Sequence, residues 1–188
     1  NFIMSKLETN TIDTVSGTTN LVIGSTNTST ITMPNGALSG QNYPAFEAYL
    51  SSDQTNLPDN TDTKVQFDTE RFDTDNAYDA TTNFRFQPTV AGKYFCYANV
   101  KLQPNSVSKT ASQFLSIFKN GTEYNRSDYD PPDNEDNGVS MYTFSILELN
   151  GSSDYVEIFG RINVTSGTFR FDTGNGKSTY FGAYRIGA

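Results

Sequence analysis

Histidine and tryptophan are absent from this 188-residue chain, and cysteine occurs once. Without histidine there is no imidazole base for a serine or cysteine hydrolase triad, and the commonest zinc ligand is missing. A lone Cys96 cannot form an internal disulfide, and inside a strand-like run it reads as a small buried apolar residue. Positive charge is scarce: 13 Lys and Arg stand against 21 Asp and Glu, for a net charge of -8. Such a chain repels phosphate, which argues against nucleic acid as a partner. No run approaches the roughly 20 apolar residues of a membrane helix, so no membrane span is expected. No secretory signal is visible, and the natural start is expected at Met4, after Asn1, Phe2 and Ile3.

Aliphatic residues are also few. The hydrophobic share is 35%, but 14 Phe and 11 Tyr raise the aromatic share to 13%. The core must be built from large rings, which favour pleated sheets. The segment from Lys64 to Val100 shows the pattern best: aromatics and Val alternate with polar residues, and Asp, Asn, Pro and Gly punctuate them. Alternation with period two puts one row of side chains on a buried face. The stretches PAFEAYL, KVQF, NFRFQP, KYFCYANVKL, SQFLSIFKNG, MYTFSILELNG, DYVEIFGRINV, GTFRF and TYFGAYRIG are strand candidates separated by turn residues. This is the pattern of an antiparallel sandwich. Asn120-Gly121 and Asn150-Gly151 are read as hairpin turns, the second joining MYTFSILEL to DYVEIFGRI. Phe84, Phe86, Tyr94, Phe114, Ile117, Phe144, Ile146, Ile158 and Phe181 are expected to be buried in the sandwich or against a neighbouring subunit. Residues 5–40 differ: Ser, Thr, Asn and Gly dominate, with Ile12, Val15, Leu21, Ile23, Ile31 and Met33 spaced between them. This composition allows a polar linker, or short strands that share a core only when three copies wind together. The chain therefore divides into residues 1–41, an anchor or stalk with short strands, and residues 42–188, a head domain.

PAFEAYL (Pro44–Leu50), KVQFD (Lys64–Asp68), NAYD (Asn76–Asp79), FRFQPTVAGKYFCYANV (Phe84–Val100), FKNG (Phe118–Gly121) and YFGAYRIG (Tyr180–Gly187) carry a resemblance. From Pro44 onward the chain resembles the complement C-one-q globular head, which shares its jelly roll with tumour necrosis factor. The chain has no collagen-like Gly-x-y region and lacks that family's usual cysteines and tryptophan. Its N-terminal text, SKLETNTIDTVSGTTNLVIGSTNTSTITMPNG, resembles instead the leaders of marine tailed-bacteriophage fibre and virion proteins. Together the two resemblances imply an all-β jelly-roll head behind a strand-rich anchor, working as a homotrimer on the surface of a phage virion. They imply a non-enzymatic structural role as capsid decoration or head fibre, with major capsid or tail proteins as partners. The short N-terminal part favours decoration over a tail-fibre tip that would recognise a host glycan or protein. A secreted complement-like lectin is a further alternative. The trimer contact is expected to include Tyr94, Tyr180, Phe181 and Tyr184.

Carboxylates are the remaining candidates. Asp130, Asp133 and Asp136 lie in the most acidic stretch, and hard oxygen ligands on a loop can hold calcium, though a solvated loop is the plainer reading. Asp53, Asp59 and Asp62 in Ser51–Thr63 have the same two readings. Asp68, Glu70, Asp73, Asp75 and Asp79 flank strands at irregular spacing, without the fixed separation that paired catalytic carboxylates need. No nucleophile–base pair can be named, so no enzyme is expected. Recognition is instead expected on two long polar segments, Ser51–Thr63 and Tyr124–Gly138.

Overall fold

The computed structural model describes residues 43–105, 110–131, 138–175 and 178–187. The expected anchor, residues 1–41, lies outside them. The described residues form strands and turns, with no helix among them. In chain order the strands are β1 (Ala45–Tyr49), β2 (Gln54–Pro58), β3 (Thr63–Lys64), β4 (Thr69–Asp73), β5 (Tyr78–Asp79), β6 (Arg85–Phe86) and β7 (Gly92–Pro104). They continue with β8 (Thr110–Lys119), β9 (Thr122–Tyr129), β10 (Val139–Leu149), β11 (Val156–Val164), β12 (Thr168–Asp172) and β13 (Tyr180–Gly187). A seven-stranded antiparallel sheet runs β2-β12-β7-β13-β1-β4, with β10 on the other side of β7. A six-stranded sheet runs β5-β6-β11-β8-β9, with β3 also paired to β11. The two pack face to face as a sandwich.

The core between them is aromatic. Phe46 stacks on Tyr78 at 4.7 Å and on Phe86 at 4.6 Å, and Phe181 meets it edge-on at 4.8 Å. Large rings let few residues fill the space, which answers the shortage of aliphatics. Tyr78 and Tyr94 are buried with their hydroxyls satisfied, donating to the carbonyls of Phe67 (3.0 Å) and Val90 (2.6 Å). Cys96 is fully buried here, and that burial pushes its thiol well above the ordinary range.

Asn120-Gly121 is the hairpin turn expected. Both residues have left-handed backbone, φ 52° and 75°, as a two-residue turn matching the strand twist requires. Asn150-Gly151 is not a hairpin. β10 pairs with β7 in one sheet and β11 with β8 in the other, so residues 150–155 cross between sheets. Asn150 does not turn the chain back; its Oδ1 accepts from the N–H groups of Ser152, Ser153 and Asp154 at 2.9, 3.0 and 3.0 Å and shapes the crossover. The two polar segments are likewise not simply loops. Gln54–Pro58 pairs with β12, and Thr122–Tyr129 forms the second arm of the β8–β9 hairpin.

Of the nine expected core residues, Phe86, Tyr94, Ile117, Ile158 and Phe181 are buried in the sandwich. Phe84 is half-buried: its backbone is left-handed (φ 48°), which takes it out of the strand alternation before β6. Phe114 has the outward parity on β8 and is covered by guanidinium groups, Arg161 at 4.2 Å and Arg126 at 5.2 Å. Phe144 and Ile146 are exposed on the outer face of the seven-stranded sheet.

Candidate functional site

That outer face is the largest anomaly of the molecule, and it begins with β10. In VSMYTFSILEL the alternation exposes Tyr142, Phe144 and Ile146, at 62%, 64% and 52%. The opposite parity turns Thr143 and Ser145 toward the sandwich. Thr143 is buried there, and its Oγ1 has no hydrogen-bond partner. The inward row still holds Met141, Leu147 and Leu149, so β10 is apolar on both faces, unlike a surface strand on a one-sided core.

Strand register continues the row across the sheet. Ile146, Phe95, Tyr184 and Ala45 lie opposite one another in sequence across β10, β7, β13 and β1. Beside them runs a second row, Phe144, Tyr97, Gly182, Glu47 and, on β4, Phe72. A third holds Tyr142, Asn99, Tyr180 and Tyr49. Phe95 is within 6.0 Å of both the Tyr97 and Phe144 rings and 5.5 Å from Tyr184. Tyr184, Ile186 and Phe72 are about half exposed. Contiguous exposed aromatic surface of this kind marks a contact site.

One ion pair interrupts the aromatics. Arg71 bonds Glu47 Oε1, and Tyr97 Oη donates to Glu47 Oε2 at 2.7 Å. The Arg71 guanidinium lies over Tyr49 at 5.2 Å and Tyr180 at 5.6 Å. Burial, and then the bond to Glu47, raise the Tyr97 hydroxyl far above the ordinary tyrosine range; burial also raises Tyr180. Both therefore stay neutral donors at physiological pH. Asn99 is buried between Tyr142 and Tyr180 in the third row; its Nδ2 donates to the Ser178 carbonyl at 2.8 Å, while Oδ1 has no partner.

Of the expected contact residues, Tyr180 and Tyr184 are on this face. Tyr94 and Phe181 are not: each has the opposite parity on its strand and is fully buried in the sandwich, so neither can meet another subunit. Asp130 is exposed just beyond β9, while Asp133 and Asp136 lie outside the described residues. Among the described residues no group of three or more His, Cys, Asp or Glu is placed to hold a metal ion. The acids of the second polar segment are dispersed: Asp53 accepts from the Thr173 N–H, Asp59 from the Val164 N–H, and Asp62 pairs with Arg161 at 3.6 Å. Asp79 accepts from the backbone of Thr82, Thr81 and Asn83, which holds it well below the usual carboxylate range. It lines a cleft of about 480 Å³ with Glu70, Arg85 and Gln87, but its lone pairs are spent on the 81–83 turn. Arg85 there stacks on Tyr155 at 4.4 Å and donates to Gln87.

No protein-family model matches the chain, and no curated protein matches it. Solved structures do. Mouse APRIL at pH 5.0 superposes with a TM-score of 0.52 at 16% identity, covering 77% of this chain and 100% of that one. Mouse APRIL at pH 8.5 gives 0.51 at 13% identity with the same coverage. The globular domain of zebrafish complement 1qA protein gives 0.52 at 13% identity, covering 77% of this chain and 98% of that one. At such identities the likeness shows the fold: the described head is a jelly roll of the complement-head and tumour-necrosis-factor type.

Proposed function

We propose that this chain is the non-enzymatic head of a structural protein that works as a homotrimer, joined through the outer face of the seven-stranded sheet. The observation that carries this is β10, whose outward row of Tyr142, Phe144 and Ile146 faces solvent although Met141, Leu147 and Leu149 already fill its core side. Burying that row is favourable at about 25 cal/mol per Å² of apolar surface. A second copy fits better than a foreign ligand: the centre of the face is ring-rich with an internally neutralised Glu47–Arg71 pair, and the charges at its ends, Lys93 opposite Glu148 and Lys101 paired with Asp172, are of both signs, so no single sign steers a charged polymer. In a closed assembly of identical chains each copy both gives and receives the contact.

The finer placement is the surface of a bacteriophage particle, as capsid decoration, head fibre or fibre. Its support is the resemblance of the leader to marine phage virion proteins. A tail-fibre tip with a host glycan or protein as ligand, or a secreted complement-like lectin, is the competing role. Sedimentation equilibrium tests the assembly: three chains of 20.8 kDa are expected, and a single-chain mass at every concentration overturns it. Immunolabelling of particles tests the placement, and absence of the protein from purified virions overturns that.

A further inference from the structure

An aromatic face alone is a poor judge of partners. Apolar contact is non-directional, so rings of similar size can slide or accept foreign apolar surface. We propose that Glu47, Arg71 and Tyr97 form a polar lock in this face, which sets the register in which a second copy docks and excludes purely apolar partners. The proposal rests on the self-association reading above.

The geometry points to a built device. Both Glu47 oxygens are engaged within the chain, one by Arg71 and the other by Tyr97 Oη at 2.7 Å. The guanidinium is held between the Tyr49 and Tyr180 rings. A charged pair is costly to cover unless its bonds are complete, and here the chain completes Glu47 before any partner arrives. What remains is a fixed relief in the rings that a partner in the wrong register must desolvate without compensation.

Gly182 is the notch that makes this arrangement fit. In the register, Tyr97 on β7 and Glu47 on β1 both pair with Gly182 on the intervening β13. A Cβ at 182 would stand 2.4 Å from both Cζ and Oη of Tyr97. The phenol crosses β13 because no side chain is there. The backbone at 182 is not among the left-handed glycines, so the glycine serves space rather than conformation. The fully buried core rings of this sheet, Phe46 and Phe181 among them, are on its other face, so the lock contributes to contact rather than to the sandwich.

The test uses the full chain, native mass spectrometry and sedimentation velocity, with near-ultraviolet circular dichroism to confirm the fold. Gly182→Ala and Tyr97→Phe each break the Tyr97–Glu47 bond, one by volume and one by removing the hydroxyl. Each is expected to weaken association at least tenfold with the dichroism unchanged. Glu47→Met with Arg71→Met removes the relief but keeps the apolar area. It is expected to associate within tenfold of the parent constant, yet as a mixture of masses. If Gly182→Ala loses its fold, Tyr97→Phe and the double variant decide. Parent-like constants and one parent-like mass for these variants overturn the lock while leaving the self-association reading intact. A parent chain that is monomeric at all concentrations overturns that reading itself.

Discussion

Two phenylalanines on opposite faces of the same sheet separate fold from assembly. Phe46 is fully buried, with three ring neighbours whose centroids lie 4.6–4.8 Å away. Truncating a buried Phe to Ala costs about 3–5 kcal/mol through lost transfer energy and the cavity left behind. The three ring pairs, each worth roughly 0.5–1.5 kcal/mol beyond area, put Phe46→Ala at the upper end. At ~2–4 °C per kcal/mol for a domain of this size, the melting temperature should fall by about 10–20 °C. Phe144 is 64% exposed with Phe95 as its ring neighbour at 6.0 Å. In the isolated chain Phe144→Ala should change stability by no more than ~0.5 kcal/mol. Any larger effect must enter through assembly, and linkage makes that part grow with protein concentration. Calorimetry of both variants over a hundredfold concentration range reads the difference. A Phe46→Ala shift under about 5 °C, or a Phe144→Ala loss as large as that of Phe46→Ala at the lowest concentration, refutes the assignment of faces.

Asn150→Ala removes the acceptor of three crossover N–H groups, and by analogy with helix caps should cost about 1–2 kcal/mol in urea denaturation. Stability should vary little between about pH 6 and pH 8, because no histidine titrates there and the unfolded Cys96 thiol titrates only above about 8.5. Asp79, held low by the Thr82 and Thr81 N–H groups, and Asp154, held low by Asn120, are stabilising above the unfolded carboxylate value of about 3.9. That stability is lost as pH falls through their lower folded values, so Asp79→Ala should flatten the acid limb of the pH–melting curve. Burial raises Tyr94 to about 12, and Tyr78 and Tyr97 further, so their neutral forms stabilise the fold below about pH 10 and that contribution is lost above it. Cys96 should react with a thiol reagent only at the rate of global unfolding; fast labelling under native conditions would mean the strand opens locally.

The sequence reading succeeds where one parity dominates. β7 has Tyr94, Cys96, Ala98, Val100 and Leu102 inward, and β8 ends in a turn whose Asn-Gly chemistry is nearly self-sufficient. It fails where both parities are apolar or neither is. On β10 both rows are apolar, Met141, Leu147 and Leu149 inward and Tyr142, Phe144 and Ile146 outward, so Phe144 and Ile146 read as core candidates where the assumption of one dry side breaks down. Tyr94 and Phe181 are right as core residues but misassigned as contact residues, because aromatics also stand on the outward parity of β7 and β13. β2 and β9 read as loops because QTNLP and TEYNRSDY bury little and follow no period-two apolar pattern. The Glu47–Arg71–Tyr97 cluster has no local signature. Its members are 24 and 50 positions apart and meet only through strand register.

The edges of the sandwich explain why association should use a face. An exposed strand edge invites further strands, and an apolar one invites aggregation. Here the free side of β10 is occupied by side chains of β9. Tyr124 Oη reaches the carbonyl of Ile146 at 3.4 Å, Asn125 Nδ2 that of Phe144 at 2.9 Å, and Ser127 Oγ that of Tyr142 at 2.7 Å. These bonds close the seam between the two sheets and take up the carbonyls a foreign strand would need. At the opposite side β4 carries Glu70, Arg71 and Asp73, charges that discourage strand addition. With the β10 edge capped and the β4 edge charged, the apolar rows between them are left to meet a partner through side chains. The aromatic surface can then be large without making the molecule sticky along its edges. The turns at the ends of the strands, among them Asn120-Gly121 and the Asn150 crossover, are not part of those rows and stay open to solvent and to any further contact.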